Sequence, residues 1–107
     1  MHVDGADRLS IDWAEGGEPL VRLAGELDAY TAPGLQDALE AAPGGTLRVD
    51  MSGVGFIDST GIRVIVGTDN RRRGDGQELV LVGPSDAVRR LLQLTSLDQH
   101  LNIEEGS

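Results

Sequence analysis

An apolar run that stops abruptly at an acid, two hydroxyls and a glycine constrains this chain more than any other feature. It lies at Gly55–Ile62, which reads Gly-Phe-Ile-Asp-Ser-Thr-Gly-Ile. Upstream, over Thr46–Met51, apolar and polar residues alternate with the period of a strand that buries one face. Downstream, apolar residues recur three and four positions apart, which predicts a helix that begins near Ser59 and emerges into solvent over Thr68–Arg73. The stretch is predicted to be a strand, a loop and a helix.

The start of this helix brings together the side chains that are best suited to chemistry or binding. Either Asp58 or Ser59 can cap the first free backbone N–H groups of the helix. A phosphate is also favoured at such a helix start, because N–H groups point outward there. Ser59 is therefore expected to act both as a cap and as an accessible hydroxyl.

The rest of the pattern predicts an α/β fold. Two alternating runs joined by a Gly-Gly turn predict a hairpin, and an amphipathic segment predicts a helix that Thr31 caps. Glu78–Val82 reads as a strand that is apolar on both faces, as if helices covered both sides of the sheet. A further helix and a weak last strand complete the order β-β-α-β-α-β-α-(β). This order implies a mixed four- to five-stranded sheet with helices packed on it, in one domain over residues 1–107 whose first seven residues are loose.

Composition excludes several classes of function. The net charge of −9 disfavours binding to nucleic acid or to an anionic membrane surface. No apolar run approaches the ~20 residues of a membrane span, so we expect no membrane insertion and a cytoplasmic protein. All nine basic residues are Arg, Cys is absent, and the two His lie near opposite ends. Lysine and thiol chemistry are thereby excluded, and we expect no metal ion and no cofactor.

The acids and hydroxyls of this sequence lack the neighbouring residues that known types of catalytic site require. Ser59 lacks the Gly-x-Ser-x-Gly elbow of serine hydrolases, because Ile57 stands two residues before it. Asp50, at the end of its predicted strand, resembles the phosphate-accepting acid of receiver domains, but the lysine such sites require is absent. Asp28 has two readings: a strand-end acid that forms a turn or cap, or a polar contact beside Ser59. We therefore expect a protein that is modified and bound by other proteins and is not an enzyme.

Several motifs together resemble the STAS domain family, in particular the bacterial anti-sigma factor antagonists. They are Gly25–Asp28, Thr31–Pro33, Val49–Val54, Phe56–Gly61, Leu79–Gly83 and Leu94–Leu97. The resemblance implies a partner-switching regulator whose unphosphorylated form binds an anti-sigma factor serine kinase and so releases the sigma factor. The kinase would phosphorylate Ser59, with Thr60 as a minor candidate, and a serine phosphatase would reverse the modification. The resemblance places kinase contacts at Asp28 and in the loop of Asp58, Ser59, Thr60 and Gly61. We also expect Thr31 and Arg63 to contact the partner.

Arg63 is the main departure from the family pattern, since many relatives carry a small residue there. Three roles stay open for it: pairing with an added phosphate, contacting the partner, or narrowing the choice of kinase. An alternative reading of the whole chain is a STAS scaffold or accessory subunit of a signalling or transport complex that is never phosphorylated. A nucleotide-handling enzyme is a third reading, without a Gly-rich phosphate loop to support it. The sequence leaves open whether the protein is a monomer or a weak dimer.

Overall fold

The computed structural model describes residues 8–105, which form an α/β fold with one mixed sheet. The expectation that residues 1–7 are loose lies outside this described part of the chain. The elements in chain order are β1 Leu9–Trp13, β2 Leu20–Leu27, α1 Ala32–Glu40, β3 Thr46–Ile57, α2 Ser59–Gly74, β4 Glu78–Val82, α3 Asp86–Leu94, a 3₁₀ turn Leu97–Gln99, and β5 Asn102–Glu104. The predicted order of elements is confirmed, including the weak last strand.

The sheet has the order β1-β2-β3-β4-β5. The β1–β2 hairpin is antiparallel, and the other three neighbouring pairs are parallel. Parallel neighbours need a crossover, and here α1, α2 and the α3 region supply one each. Because β2, β3 and β4 run in the same direction, their carboxyl ends lie at one edge of the sheet. Ser59 lies at this edge, separated from the end of β3 only by Asp58.

All three helices pack against the same face of the sheet. Three residues paired across β2, β3 and β4, namely Val21, Val49 and Leu81, form a row that is fully buried. One continuous core joins this row to residues of each helix. The next row, on the opposite face, contains Arg22, Asp50, Val82 and Glu104, which are exposed or half-buried. The expectation that helices cover both faces of β4 is therefore wrong. On the open face, Val80 of β4 is still buried between its strand neighbours Arg48 and Asn102, whereas Val82 is only half-buried.

Strand β3 is longer than the sequence predicts, because it continues from Met51 to Ile57. Relative to β2, it carries one extra residue between Asp50 and Gly53 and another between Val54 and Phe56. Each extra residue is a β-bulge, which shifts the inward and outward alternation by one position. The buried residues of β3 therefore fall at Leu47, Val49, Met51, Val54 and Ile57. The broken alternation is what made the strand seem to end at Met51.

A consequence for Asp50 follows from the full length of β3. The residue lies in mid-strand, not at the strand's carboxyl end as the sequence suggested. Its Oδ1 accepts hydrogen bonds from the Ser52 N–H at 2.9 Å and the Ser52 hydroxyl at 2.7 Å, and its Oδ2 lies 3.9 Å from Arg22 Nε. Asp50 therefore supports the local backbone on the open face of the sheet, with no part in the Ser59 region.

The polar second half of α2 was expected to face solvent, but Thr68, Asp69 and Arg72 are buried. Arg72 donates from Nη2 to the carbonyls of Pro43 at 2.9 Å and Gly45 at 2.8 Å, and from Nε to the carbonyl of Glu78 at 3.1 Å. Burial lowers the pKa of Arg72, although the guanidinium stays charged. The residue therefore ties α2 to the α1–β3 connection and to β4, and is not simply a cation at a helix end.

Asp69 is the other buried charge of α2. Its Oδ2 lies 2.9 Å from Arg73 Nε and 3.7 Å from His100 Nε2, while neither carboxylate oxygen has a well-aligned hydrogen bond within residues 8–105. Arg73 also donates from Nη2 to the carbonyl of His100 at 2.8 Å. This cluster attaches α2 to the segment before β5.

Within residues 8–105, no helix is both long enough and apolar enough to cross a bilayer.

Candidate functional site

The carboxyl ends of β2 and β3 meet beside the start of α2. Leu27 pairs with Ile57, and the N–H of Asp58 donates to the carbonyl of Leu27 at 3.2 Å. Ser59, the residue after Asp58, begins α2. Asp28 is the residue after Leu27. The two strand ends thus bring the Asp28 loop and the Asp58–Ser59 turn together, as one of the two readings of Asp28 required.

Asp58 alone caps α2. Its Oδ1 accepts hydrogen bonds from the N–H groups of Thr60 and Gly61, both at 3.0 Å, from an extended backbone conformation typical of a cap. The expectation that Ser59 also serves as a cap is wrong, because Asp58 already occupies those two donors. Ser59 is instead the first helical residue.

Ser59 is exposed, and its hydroxyl forms no hydrogen bond with any residue between 8 and 105. A serine in this position loses nothing structural when its oxygen is modified or contacted. The hydroxyl therefore has no structural task and is accessible to another protein. Thr60, the minor candidate, is half-buried and lines the groove described below.

Asp28 organises the loop that faces Ser59. Its Oδ1 accepts from the N–H groups of Tyr30 at 2.9 Å and Thr31 at 3.1 Å, and its Oδ2 accepts from Arg8 Nη2 at 2.9 Å. Partial burial raises the pKa of this carboxyl, but the two N–H groups and the Arg8 guanidinium outweigh it and hold the pKa below its ordinary value. Asp28 is thus an acid that forms a turn, and it also lies at the carboxyl end of β2, beside the start of α2.

A family model described as "Mlab, STAS domain" matches residues 10–104 of this sequence. The match covers most of the chain and includes every strand and helix described above except the first residue of β1. The chain belongs to the STAS domain family. Among curated relatives of this STAS domain, the anti-sigma-B factor antagonist of Listeria monocytogenes is 44% identical over 85 residues, covering 77% of this chain and 75% of the relative. The anti-sigma-B factor antagonist of Staphylococcus aureus is 36% identical over 90 residues, covering 81% and 83%.

Solved structures share the STAS fold seen here. An anti-sigma factor antagonist from Mycobacterium paratuberculosis superposes with a TM-score of 0.76 at 25% identity, covering 97% of this chain and 90% of that one. The antagonist SpoIIAA superposes in its unphosphorylated form with a TM-score of 0.73 at 19% identity, covering 92% of this chain and 88% of that one. Its phosphorylated form gives a TM-score of 0.70 at 18% identity, covering 92% and 91%. At these identities the SpoIIAA matches establish the fold alone.

Two of the predicted contact residues are buried in this STAS domain. The Thr31 hydroxyl donates to the carbonyl of Glu26 at 2.9 Å and accepts from the N–H of Asp28 at 3.0 Å. It closes the Asp28 loop and does not cap α1, which corrects the sequence expectation. At Gly61, an added Cβ would lie 2.6 Å from Leu27 Cγ and 2.7 Å from the Leu27 carbonyl oxygen, so only glycine lets α2 begin this close to β2. Both residues position the STAS site from below its surface.

Two residues near the site were not singled out from the sequence. Arg8 pairs with Asp28, and its guanidinium carbon lies 4.9 Å from the centre of the Tyr30 ring, within the range of a cation–π contact. Tyr30 is nevertheless 71% exposed. A signal was present in the sequence, since Tyr30 is one of three aromatic residues and stands two positions after Asp28. Arg8 gave no signal, because its side-chain partners Glu26, Asp28 and Tyr30 lie 18 or more residues away in the sequence.

A groove of about 260 Å³ opens between α1 and α2 next to the Ser59 turn. Ala29, Pro33 and Gln36 line one side of it, and Thr60, Arg63 and Arg71 line the other. Arg63 is exposed on α2, one turn after Ser59. The STAS site therefore consists of a free hydroxyl, an acidic loop with an exposed aromatic ring, and a groove with two cations. Across residues 8–105, no group of three or more acidic or histidine side chains is placed to hold a metal ion.

Proposed function

We propose that this STAS domain is an anti-sigma factor antagonist that is switched by phosphorylation of Ser59. In its unphosphorylated form it binds an anti-sigma factor serine kinase and releases the sigma factor. The kinase then transfers the γ-phosphoryl group of ATP to the Ser59 oxygen, which releases ADP and the hydroxyl proton. A serine phosphatase hydrolyses the phosphoserine with water, which restores the hydroxyl and releases inorganic phosphate. The observation that carries the proposal is the exposed Ser59 hydroxyl at the start of α2, which has no hydrogen bond to the described part of the chain. Relatives with 44% and 36% identity that carry the antagonist name support it.

The physics of the switch follows from where the phosphate would be added. A phosphoserine carries about −1.5 to −2 charges and three acceptor oxygens. Ser59 is exposed and outside the core, so the added group leaves the packing of the sheet and helices unchanged. At an interface the same group adds bulk and must be desolvated, which weakens binding. The modification is therefore expected to change which protein binds and to leave the fold intact.

The kinase is proposed to bind a docking surface made of Asp28, Tyr30, Asp58, Ser59, Thr60 and Arg63. These residues surround the meeting point of β2, β3 and α2 on one side of the molecule. Thr31 and Gly61 act beneath this docking surface by holding the Asp28 loop and the start of α2 in place. Exposed aromatic residues next to polar groups are frequent anchors in protein interfaces, and Tyr30 has that character.

The test of the proposed function is the intact mass of the protein purified from its own cells. A species heavier by about 80 Da, with the added group mapped to Ser59, is expected under at least one growth condition. The unmodified chain, used as bait, is expected to recover an ATP-binding serine kinase from the same cells. Absence of the heavier species under every growth condition would instead favour the scaffold or accessory-subunit reading.

Replacing Tyr30 by alanine is expected to weaken kinase binding by about tenfold without unfolding the protein. The ring is mostly exposed, so its removal costs little folding free energy, whereas an interface would lose a rigid apolar anchor. Leu94→Ala is the matched control, because Leu94 is 77% exposed and lies on α3, away from the docking surface. Isothermal titration calorimetry with the recovered kinase measures both affinities. Equal effects of the two substitutions would remove Tyr30 from the docking surface.

A further inference from the structure

The backbone at the start of α2 offers little to a phosphate on Ser59. The N–H groups of Thr60 and Gly61 already donate to the Asp58 carboxylate at 3.0 Å. The N–H of Ile62 donates to the carbonyl of Asp58 at 3.0 Å. A phosphate on Ser59 would therefore lie beside a carboxylate that already accepts the N–H groups of Thr60 and Gly61. A cation must offset this repulsion if the modified protein is to keep the present conformation of the turn.

The arginines of the described chain differ in whether a partner is already in place. Six of the nine form ion pairs with acids, and these are Arg8, Arg22, Arg48, Arg71, Arg73 and Arg89. Arg72 donates to three backbone carbonyls. Only Arg63 and Arg90 are left without an ion pair to a residue between 8 and 105. In a chain with 18 acids, a guanidinium beside Ser59 that has no such pair within residues 8–105 stands out from the general pattern.

The spacing of Arg63 suits it to a group on Ser59. Residues four apart on a helix lie on the same face, about 5–6 Å apart between Cβ atoms. The order also matters, since a negative group one turn before a positive one stabilises a helix better than the reverse. A guanidinium can donate two parallel hydrogen bonds to phosphate oxygens, a geometry that the ammonium of lysine lacks. Arg90 has the same freedom but lies on α3.

We propose that Arg63 binds the phosphoryl group of phospho-Ser59 and holds it along the first turn of α2. This inference rests on the proposed phosphorylation of Ser59. In the unmodified protein Arg63 lines the groove between α1 and α2. Phosphorylation then changes the docking surface in two ways: it adds a dianion at Ser59, and it withdraws the Arg63 guanidinium from the groove.

The test uses protein with phosphoserine incorporated at position 59 during translation with an expanded genetic code. The second pKa of the phosphate is measured by ³¹P NMR titration, in this protein and in its Arg63→Gln and Arg90→Gln variants. A nearby guanidinium favours the dianion and lowers that pKa from its ordinary value of about 6. Arg63→Gln is therefore expected to raise it by about half a unit, while Arg90→Gln leaves it unchanged. The difference should shrink at 1 M salt, where screening acts over about 3 Å.

A phosphate pKa that is the same in the two variants would overturn the proposal. A second readout is the Arg63 Nε–H signal in ¹H–¹⁵N spectra, which is expected to shift between serine and phosphoserine at position 59. An unchanged Arg63 signal would likewise contradict a direct contact. Because phosphoserine is built in during translation, these results do not depend on a cellular kinase. If phosphoserine left kinase binding unaffected, the proposed switch would fail, and the titration would still decide the role of Arg63.

Discussion

Replacing Ser59 by aspartate is expected to weaken binding of the partner kinase by about 30- to 100-fold, whereas Ser59→Ala binds as tightly as the unmodified protein. The alanine removes a hydroxyl that has no hydrogen bond to residues 8–105, so the docking surface is preserved. The aspartate introduces a charge that an interface must desolvate, next to the existing Asp58. Folding is expected to tolerate it, because a negative charge in the first turn of a helix is favourable.

A third variant at the same position separates charge from size. Asparagine has nearly the shape of aspartate and no charge, so Ser59→Asn is expected to bind close to the alanine variant. Titration calorimetry with the purified kinase and nucleotide measures all three affinities, and thermal unfolding confirms that each variant is folded. Equal affinities for the alanine and aspartate variants would refute a charge-based switch. An asparagine variant as weak as the aspartate one would assign the effect to bulk.

Replacing Arg72 by alanine is expected to lower the free energy of unfolding by about 3 kcal/mol. The buried guanidinium supplies donors to the carbonyls of Pro43, Gly45 and Glu78, and its loss leaves these acceptors without their partner. Hydrogen bonds that involve a charged group each contribute about 1.5–3 kcal/mol, and partial rehydration reduces the sum. Such a loss is a large share of the roughly 5–15 kcal/mol that stabilises a typical domain.

The adjacent arginine provides the control for this measurement. Arg71 is exposed and lies 3.8 Å from Glu40, so Arg71→Ala is expected to cost less than about 0.5 kcal/mol. Urea unfolding followed by circular dichroism gives both values from the transition midpoints. Arg72→Lys is expected to lie between the two, because an ammonium cannot reproduce the planar arrangement of donors. If Arg72→Ala were as stable as Arg71→Ala, the three carbonyl contacts would carry no stabilisation.

The architecture could be predicted from sequence where patterns are regular. Alternation in β1, β2 and the first half of β3, and the helical spacing of apolar residues in α1 and α3, gave the element order and the mixed sheet. The motif resemblance gave the family, which the match over residues 10–104 confirms. The sequence also predicts Ser59 at the start of a helix, because a capping residue, a glycine and an apolar run mark helix starts locally.

Features that depend on distant contacts could not be predicted in this way. The burial of Arg72 requires carbonyl acceptors 27 and 29 residues away, so its sequence context suggested an ordinary helix end. The choice of Asp58 over Ser59 as the cap depends on backbone conformation, which residue type does not determine. The partner of Arg8 lies 20 residues away, across the hairpin. That Arg63 has no ion pair to a residue between 8 and 105 could emerge only after the partners of the other arginines were known.

The two bulges of β3 determine in which direction the chain presents Ser59. Each inserted residue reverses which side of the sheet the following side chains face, and two insertions restore the original sides, so that Ile57 is again in the core. Gain or loss of one residue in this part of the chain would turn the Ile57 side chain toward solvent and change the direction in which Ser59 is presented. Evolution can therefore alter the length of this segment by pairs of residues more readily than by single ones.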